Sequence, residues 1–286
     1  MELLEQIEER YIETNGIKLH TVLIGEGEPI IMLHGFPEFW FSWRHVMLGL
    51  KDEFRLIVPD TRGINLSDKP EGIENYKIKV LVDDIKGLAE ALQLDKFILA
   101  GHDFGGILSW YFAGLYPELL KKLIICNVAH PLAMQRTYIK YPEQREIMTY
   151  VDDLMKPNAA ELVSENDYQT LREVGIFDNK DDLGEKMLRE AWAQPGSLKS
   201  GSTYYKAAYD PPPRGTGVDE WKDGKIKVPT LVIHGMQDHA MLPQILDPLD
   251  EYVENIKIVR VENSSHWILD DAPDVVIKEI RQFVKK

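Results

Sequence analysis

Asp103 stands among small residues in Gly101-His102-Asp103-Phe104-Gly105-Gly106, directly after an apolar run and before a segment read as a helix from Ile107 to Tyr116. A nucleophile elbow requires that arrangement: a sharp strand-to-helix turn crowds the flanking backbones so that only small residues fit, and lifts the central side chain above the sheet. Taken alone, the motif reads equally as turn glycines around a helix-starting aspartate. An elbow also demands an acid and then a histidine, on loops after later strands. Asp238 follows the run Thr230 to Gly235, and His266 follows the run Ile256 to Val261. Each is a common turn or loop residue by itself. Three in the expected order, each at the carboxyl end of a run, read as nucleophile, acid and base.

A carboxylate in the nucleophile's position narrows the chemistry. Attack on a saturated carbon yields an alkyl ester that water can cleave, whereas attack on an ester carbonyl would yield an anhydride. The substrate should therefore carry an electrophilic sp3 carbon. Cleaving the ester needs donors for an oxyanion, and His34-Gly35-Phe36-Pro37-Glu38 lies on the loop where one belongs. Gly35 permits close approach and Pro37 offers no competing amide, so the Phe36 and Phe104 amides are the expected donors. The Phe36–Pro37 bond is expected to be cis, since X-Pro bonds carry only a small cis penalty. The same loop also reads as a tight turn leaving the sheet.

The elements that must position these residues follow from the alternation of short apolar runs with segments of helical period, the pattern of an α/β fold with a mainly parallel sheet. The runs are Pro29 to Gly35, Phe54 to Asp60, Phe97 to Gly101, Leu123 to Asn127, Thr230 to Gly235 and Ile256 to Val261. Ile78, Leu81, Val82, Ile85, Leu88, Ala89 and Leu92 mark one amphipathic helix, and a last helix is expected from about Ala272 to Val284. From about 130 to 221 no strand-like run occurs; helical pieces are broken by Pro142, Pro157, Pro195 and Pro211-Pro212-Pro213. This reads as a helical cap inserted into a core of 1–129 and 222–286, seated over the carboxyl ends of the strands, where α/β folds place ligands.

Composition excludes several other classes. The 286 residues carry 33 basic and 47 acidic side chains, a net charge of −14, which repels nucleic acid and anionic lipid. No apolar run approaches the roughly 18 residues that span a bilayer. The acidic N-terminus lacks the look of a secretory signal, so the expected location is cytoplasmic. The single cysteine, Cys126, reads as an inert buried hydrophobe, and the eight histidines show no HExxH pair or ligand cluster, so neither a metal nor another cofactor is expected.

Across nearly the whole chain these motifs resemble the α/β-hydrolase-fold epoxide hydrolases. The likeness rests on His34-Gly35-Phe36-Pro37-Glu38 with Trp43-Arg44, on Asp60-Thr61-Arg62-Gly63 leading to Ser67-Asp68-Lys69-Pro70, and on Gly101 to Gly106. It implies an eight-stranded, mostly parallel sheet with the helical cap. It also implies two cap tyrosines that protonate the epoxide oxygen: Tyr150, counted back from Pro157, and Tyr205 in Tyr204-Tyr205-Lys206-Ala207. The chain departs from the family in having Phe104 where Trp is usual, and Asp152, Asp153 and Met155 where aromatics and Gln are common.

The resulting expectation is a hydrolase taking a small apolar epoxide and water to a vicinal diol, as a monomer or homodimer. Trp40, Trp267 and Pro37 are expected to contact substrate. Two rivals stand beside this reading. A haloalkane or haloacid dehalogenase would use the same aspartate, but it needs N–H donors or an arginine beside the nucleophile where this chain has Phe104 and Ile107. A hydrolase-like small-molecule receptor would have no need of all three of Asp103, Asp238 and His266.

Overall fold

Asn15 and Gly16 open the sheet, their backbone φ angles of 43° and 78° making the two-residue turn that joins β1 (Glu8–Thr14) to β2 (Ile17–Ile24) as an antiparallel hairpin. The computed structural model describes residues 3–208, 221 and 224–285. The remaining strands are β3 (Glu28–Leu33), β4 (Phe54–Pro59), β5 (Phe97–His102), β6 (Leu120–Cys126), β7 (Thr230–Gly235) and β8 (Ile256–Val261). They form one eight-stranded sheet in the order β1-β2-β4-β3-β5-β6-β7-β8. Only the β1–β2 and β2–β4 pairs are antiparallel; from β4 to β8 every pair is parallel. Parallel strands are covered on both faces, and accordingly β5 and β7 are buried at every residue.

Helices α1 (Arg44–Leu50), α2 (Ile78–Ala91) and α3 (Phe104–Leu115) connect the early strands. In α2 the buried apolar residues are Ile78, Leu81, Val82, Ile85, Leu88 and Ala89, the stripe expected from spacings of three and four. Several boundaries shift by one or two residues from the sequence expectation, and two starts shift by three. α3 begins at Phe104 rather than Ile107, because Asp103 is itself the turn and its carbonyl already accepts from the Ile107 amide at 3.0 Å. β6 begins at Leu120 rather than Leu123: Lys121 and Lys122 lie near the rim of the sheet, and Lys122 donates to the carbonyls of Phe283 and Val284.

Between β6 and β7 the described residues form α4 (Pro131–Lys140), α5 (Pro142–Ile147), α6 (Tyr150–Leu154), α7 (Ala159–Glu173, kinked at 165–168), α8 (Asp182–Trp192) and α9 (Ser197–Ala208), with no strand among them. Pro142 opens α5, while Pro157 and Pro195 fall between helices, as proline's missing amide dictates. Pro211-Pro212-Pro213 and the boundary expected near 221–222 fall in or beside a stretch outside the described residues. After β7 come α10 (Leu249–Tyr252), α11 (Ile268–Asp271) and α12 (Pro273–Val284), the last matching the expected terminal helix. Among the described residues no helix is long and apolar enough to cross a membrane.

One buried ion pair fixes the loop after β4. Arg62 donates to both oxygens of Asp84 on α2, at 2.7 and 2.6 Å, and both side chains are almost fully enclosed. Taking one partner from such a pair leaves an uncompensated buried charge. Asp84→Ala should therefore lower the unfolding free energy by about 3–5 kcal/mol in urea denaturation; a loss no larger than that of an exposed pair, below about 1 kcal/mol, would mean Arg62 finds another partner.

Candidate active site

β5 delivers Asp103 to the carboxyl edge of the sheet with φ 49° and ψ −122°, in the left-handed half of the map that a non-glycine residue holds only under constraint. The constraint is visible at the neighbouring glycines. A Cβ on Gly35 would overlap the Asp103 side chain, and one on Gly105 would overlap the carbonyls of Leu33 and His34. The absence of those Cβ atoms lets the loop after β3 close onto Asp103. The Phe36 amide donates to Asp103 Oδ1 at 2.9 Å, and the Phe36–Pro37 bond is cis. Phe104 is the first residue of α3, where an amide has no partner within the helix.

The other carboxylate oxygen faces the histidine: His266 Nε2 lies 3.3 Å from Asp103 Oδ2, and Nδ1 lies 2.9 Å from Asp238 Oδ2. Asp238 is held from every side. Its Oδ1 accepts from the amides of Ala240 (2.7 Å) and Met241 (2.9 Å), and its Oδ2 also accepts from Asn127 Nδ2 (2.8 Å). Burial opposes its charge, but His266 foremost, with His234 and the Asn127 hydrogen bond, outweighs burial and holds the carboxyl well below the ordinary range. Burial likewise opposes charge on His266, yet the Asp238 and Asp103 carboxylates raise its proton affinity well above that of a free imidazole.

A cavity of about 180 Å³ opens over these groups. Asp103 and His266 line its floor with Phe36, Pro37 and Trp267; Tyr150, Tyr205, Leu154, Val163 and Leu171 line it from the helices inserted between β6 and β7. Tyr205 sits edge-on to Phe36 and Phe104, with ring centres 5.9 and 5.8 Å apart. Its neighbour Tyr204 turns toward the core, where its hydroxyl contacts Thr61 Oγ1 at 2.9 Å and the Arg62 carbonyl. The loop pinned by Asp84 thus carries α9, and α9 carries Tyr205.

Trp40 departs from the expectation of a substrate contact. It is outside the cavity lining, packed against Phe39 and Phe41, and its amide donates to Asp60 Oδ1 at 3.0 Å. Because Asp60 also accepts from Asn65 and contacts His20, Trp40 belongs to the brace behind the loop. His34 completes that brace: its Nε2 accepts from the Thr61 amide at 3.0 Å, which leaves Nδ1 to donate to the Gly35 carbonyl at 2.7 Å.

Several residues at the site carried no sequence signal that singles them out. Asn127 gains its role only because β6 lies beside β7, and His239 only because it follows Asp238 into the cavity wall. Trp192 Nε1 donates to the Pro37 carbonyl at 2.7 Å, and Trp267 Nε1 donates to the Val174 carbonyl at 2.8 Å, so indoles cross between inserted helices and core in both directions. Among the described residues no three His, Cys, Asp or Glu side chains are grouped to hold a metal ion.

Comparison with known proteins adds three kinds of likeness. Residues 28–273 match the family described as alpha/beta hydrolase fold. The AB hydrolase superfamily protein YfhM of Bacillus subtilis (strain 168) is 37% identical over 96% of this chain and 97% of its own length. Epoxide hydrolase 1 of Caenorhabditis elegans is 33% identical over 99% of this chain and 72% of its own. Among solved structures, a single-residue mutant of an epoxide hydrolase from Bacillus megaterium, complexed with its naphthyloxy-propanediol product, superposes with a TM-score of 0.91. It shares 31% identity, covering 97% of this chain and all of that one.

The paired carboxylates set the titration of His266. Followed by NMR, the ring should gain its proton well above the roughly 6.5 of a free imidazole, and Asp238→Asn should move that midpoint down. A wild-type midpoint at or below the free value would show that burial, not the carboxylates, governs the ring.

Proposed function

The chain belongs to the epoxide hydrolases of the alpha/beta hydrolase fold, and on that premise we propose that it converts a small apolar epoxide to a vicinal diol through an ester on Asp103. The observation that carries this reading is the division of the Asp103 carboxylate: one oxygen is held by the Phe36 amide, and the other, free to attack, lies beside His266 in a cavity lined by two tyrosines. The diol complex of the Bacillus megaterium relative supports the product class. In the same reading the helices between β6 and β7 are the lid of an insertion spanning 130–221, and the remaining chain is the core.

Ring opening and ester cleavage then follow from charge. Asp103 Oδ2 attacks one epoxide carbon, the carbon–oxygen bond breaks toward oxygen, and the departing alkoxide takes a proton from Tyr150 or Tyr205. Before this step His266 is an imidazolium stabilised by two carboxylates. Ester formation cancels the charge on Asp103, so the ring's hold on its proton weakens, and that proton can return to the tyrosinate. Neutral His266, oriented by Asp238, next takes a proton from water as the water attacks the ester carbonyl. The Phe36 amide already rests on the oxygen that becomes the oxyanion, and the Phe104 amide is the second donor. Collapse breaks the bond between the carbonyl carbon and the alkoxide, which takes the remaining proton of the added water; this releases the diol and restores the carboxylate–imidazolium pair, so no net proton is gained or lost.

The lining also bears on substrate charge. Among its described residues are Asp153, Glu165 and Asp103 but no Lys or Arg, and Asp153 is already paired with Lys156. An epoxide bearing a carboxylate would meet like charge, and the His266 imidazolium in the lining is already engaged by Asp103 and Asp238. A neutral epoxide should therefore exceed its matched epoxy acid in kcat/KM by about tenfold or more.

Two sets of variants test the mechanism. His266→Ala should alkylate but not hydrolyse, so intact mass after incubation with epoxide should rise by the mass of one substrate, on a peptide containing Asp103. Tyr150→Phe and Tyr205→Phe should each slow ring opening by about 10² to 10⁴. An adduct elsewhere would overturn the assignment of the nucleophile. Full turnover by both tyrosine variants, with halide released from haloalkanes, would favour a dehalogenase.

A further inference from the structure

Lys180 lies on the turn between α7 and α8, and its side chain is only 3% exposed. Its ammonium lies 3.1 Å from Glu38 Oε1 and also contacts Asp270 Oδ2. Both carboxylates belong to the core and both are buried. Glu38 follows the Phe36-Pro37 turn, and Asp270 lies on α11, which begins two residues after His266. The neighbours of Lys180 land on the same surface: Asn179 Nδ2 donates to Asp271 Oδ1 at 2.8 Å, and Asp181 lies 3.7 Å from Arg44. Arg44 in turn lies 2.6 Å from Asp270 Oδ1. At the centre of this cluster two carboxylates, Glu38 and Asp270, are balanced by two cations, Lys180 and Arg44.

The cluster touches both halves of the catalytic apparatus. Glu38 Oε2 lies 3.2 Å from His102 Nδ1, and His102, adjacent to Asp103 in sequence, places Nε2 2.8 Å from the His266 carbonyl. Asp271, beside Asp270, accepts from the Ser265 amide and hydroxyl at 2.7 and 2.6 Å. The Lys180 ammonium itself sits 5.7 Å from the centre of the Trp267 ring, a wall of the cavity.

We propose that Lys180 is a positioning residue: as the shared counter-ion of Glu38 and Asp270 it locks the inserted helices onto the loops that aim the Phe36 amide and His266, so that ring opening proceeds at full rate only while this lock is closed. Without its ammonium, two buried carboxylates share one cation, and the seam must either take up a proton or admit water. Lys180, together with His102, outweighs burial and holds the Glu38 carboxyl well below its ordinary range. The kinetic part of this inference rests on the epoxide reading; the structural part does not.

The test is a double-mutant cycle of Lys180→Met and Glu38→Gln, read as single-turnover ring opening per active site, with active sites counted by the ester burst. Lys180→Met should slow ring opening by about tenfold or more, and adding Glu38→Gln should bring little further loss, because the two act as one unit. Should Lys180→Met alone fail to fold, the double variant, which carries no unpaired carboxylate, supplies the reading and should still be slowed by about tenfold. Lys180→Arg should recover part of the rate. In parallel, amide hydrogen exchange should speed up in peptides spanning 36–44 and 264–271 of the Lys180 variant, a readout that needs no substrate. Ring opening within about twofold of wild type, losses that simply multiply across the cycle, or unchanged exchange in both peptides would overturn the proposal. Wild-type ring opening reports on the epoxide reading itself; the ratios and the exchange report on Lys180.

Discussion

In the proposed reading a carboxylate at the floor of a cavity must be fixed by its neighbours and still present one oxygen to a substrate, and the architecture answers that constraint. Asp103 is only 8% exposed, yet one of its oxygens receives an amide hydrogen bond and the other faces an imidazole. Neither partner is local in sequence. The Phe36 amide arrives from the loop after β3, which can close because Gly35 has no side chain, and His266 arrives from the loop after β8. The elbow's unusual backbone at Asp103 sustains this meeting, since the tight contacts at Gly35 and Gly105 leave the turn no roomier alternative.

The second carboxylate carries a different burden. Asp238 is held ionised against burial chiefly by His266, and it also collects hydrogen bonds from Asn127 and two backbone amides. The two acids differ in their surroundings: Asp238 is saturated with donors, whereas Asp103 keeps one oxygen accessible to the cavity. That difference in hydrogen bonding is the physical basis for reading one as orienting acid and the other as nucleophile.

The seam between inserted helices and core is built from polar tips on apolar bodies. Trp192 on Pro37, Trp267 on Val174, Tyr204 on Thr61 and Arg62, and Gln144 on Ala240 and Leu242 each bury a ring or stem while satisfying the polar end. A greasy seam would hold the helices down in many registers; these bonds allow one. Three of these contacts reach the segments that carry Phe36, Asp238 and His266, and Tyr204 reaches the loop after β4. Trp40, whose backbone is the part bonded into the brace, shows that an aromatic beside the motif can serve the scaffold rather than the cavity.

The chain's own residues were enough to reveal the alternation of strands and helices, the helical stretch after β6, and the order of Asp103, Asp238 and His266, because period and punctuation are local properties. They also identified Tyr205 and Tyr150 as candidates, through motif likeness. The Asn15-Gly16 turn was an available signal for the first hairpin, whereas the starts of α3 and β6 depended on which residue became the turn and which lysines could reach the rim. The contacts made by Asn127, Tyr204, Trp192 and Lys180 were not legible. Their roles exist only where β6 meets β7 or where inserted helices meet the core, across separations in the chain that no local pattern encodes. Sequence determined which groups could do the chemistry; tertiary structure alone decided which partners hold them, since hydrogen bonds and buried charges are satisfied in space, not along the chain.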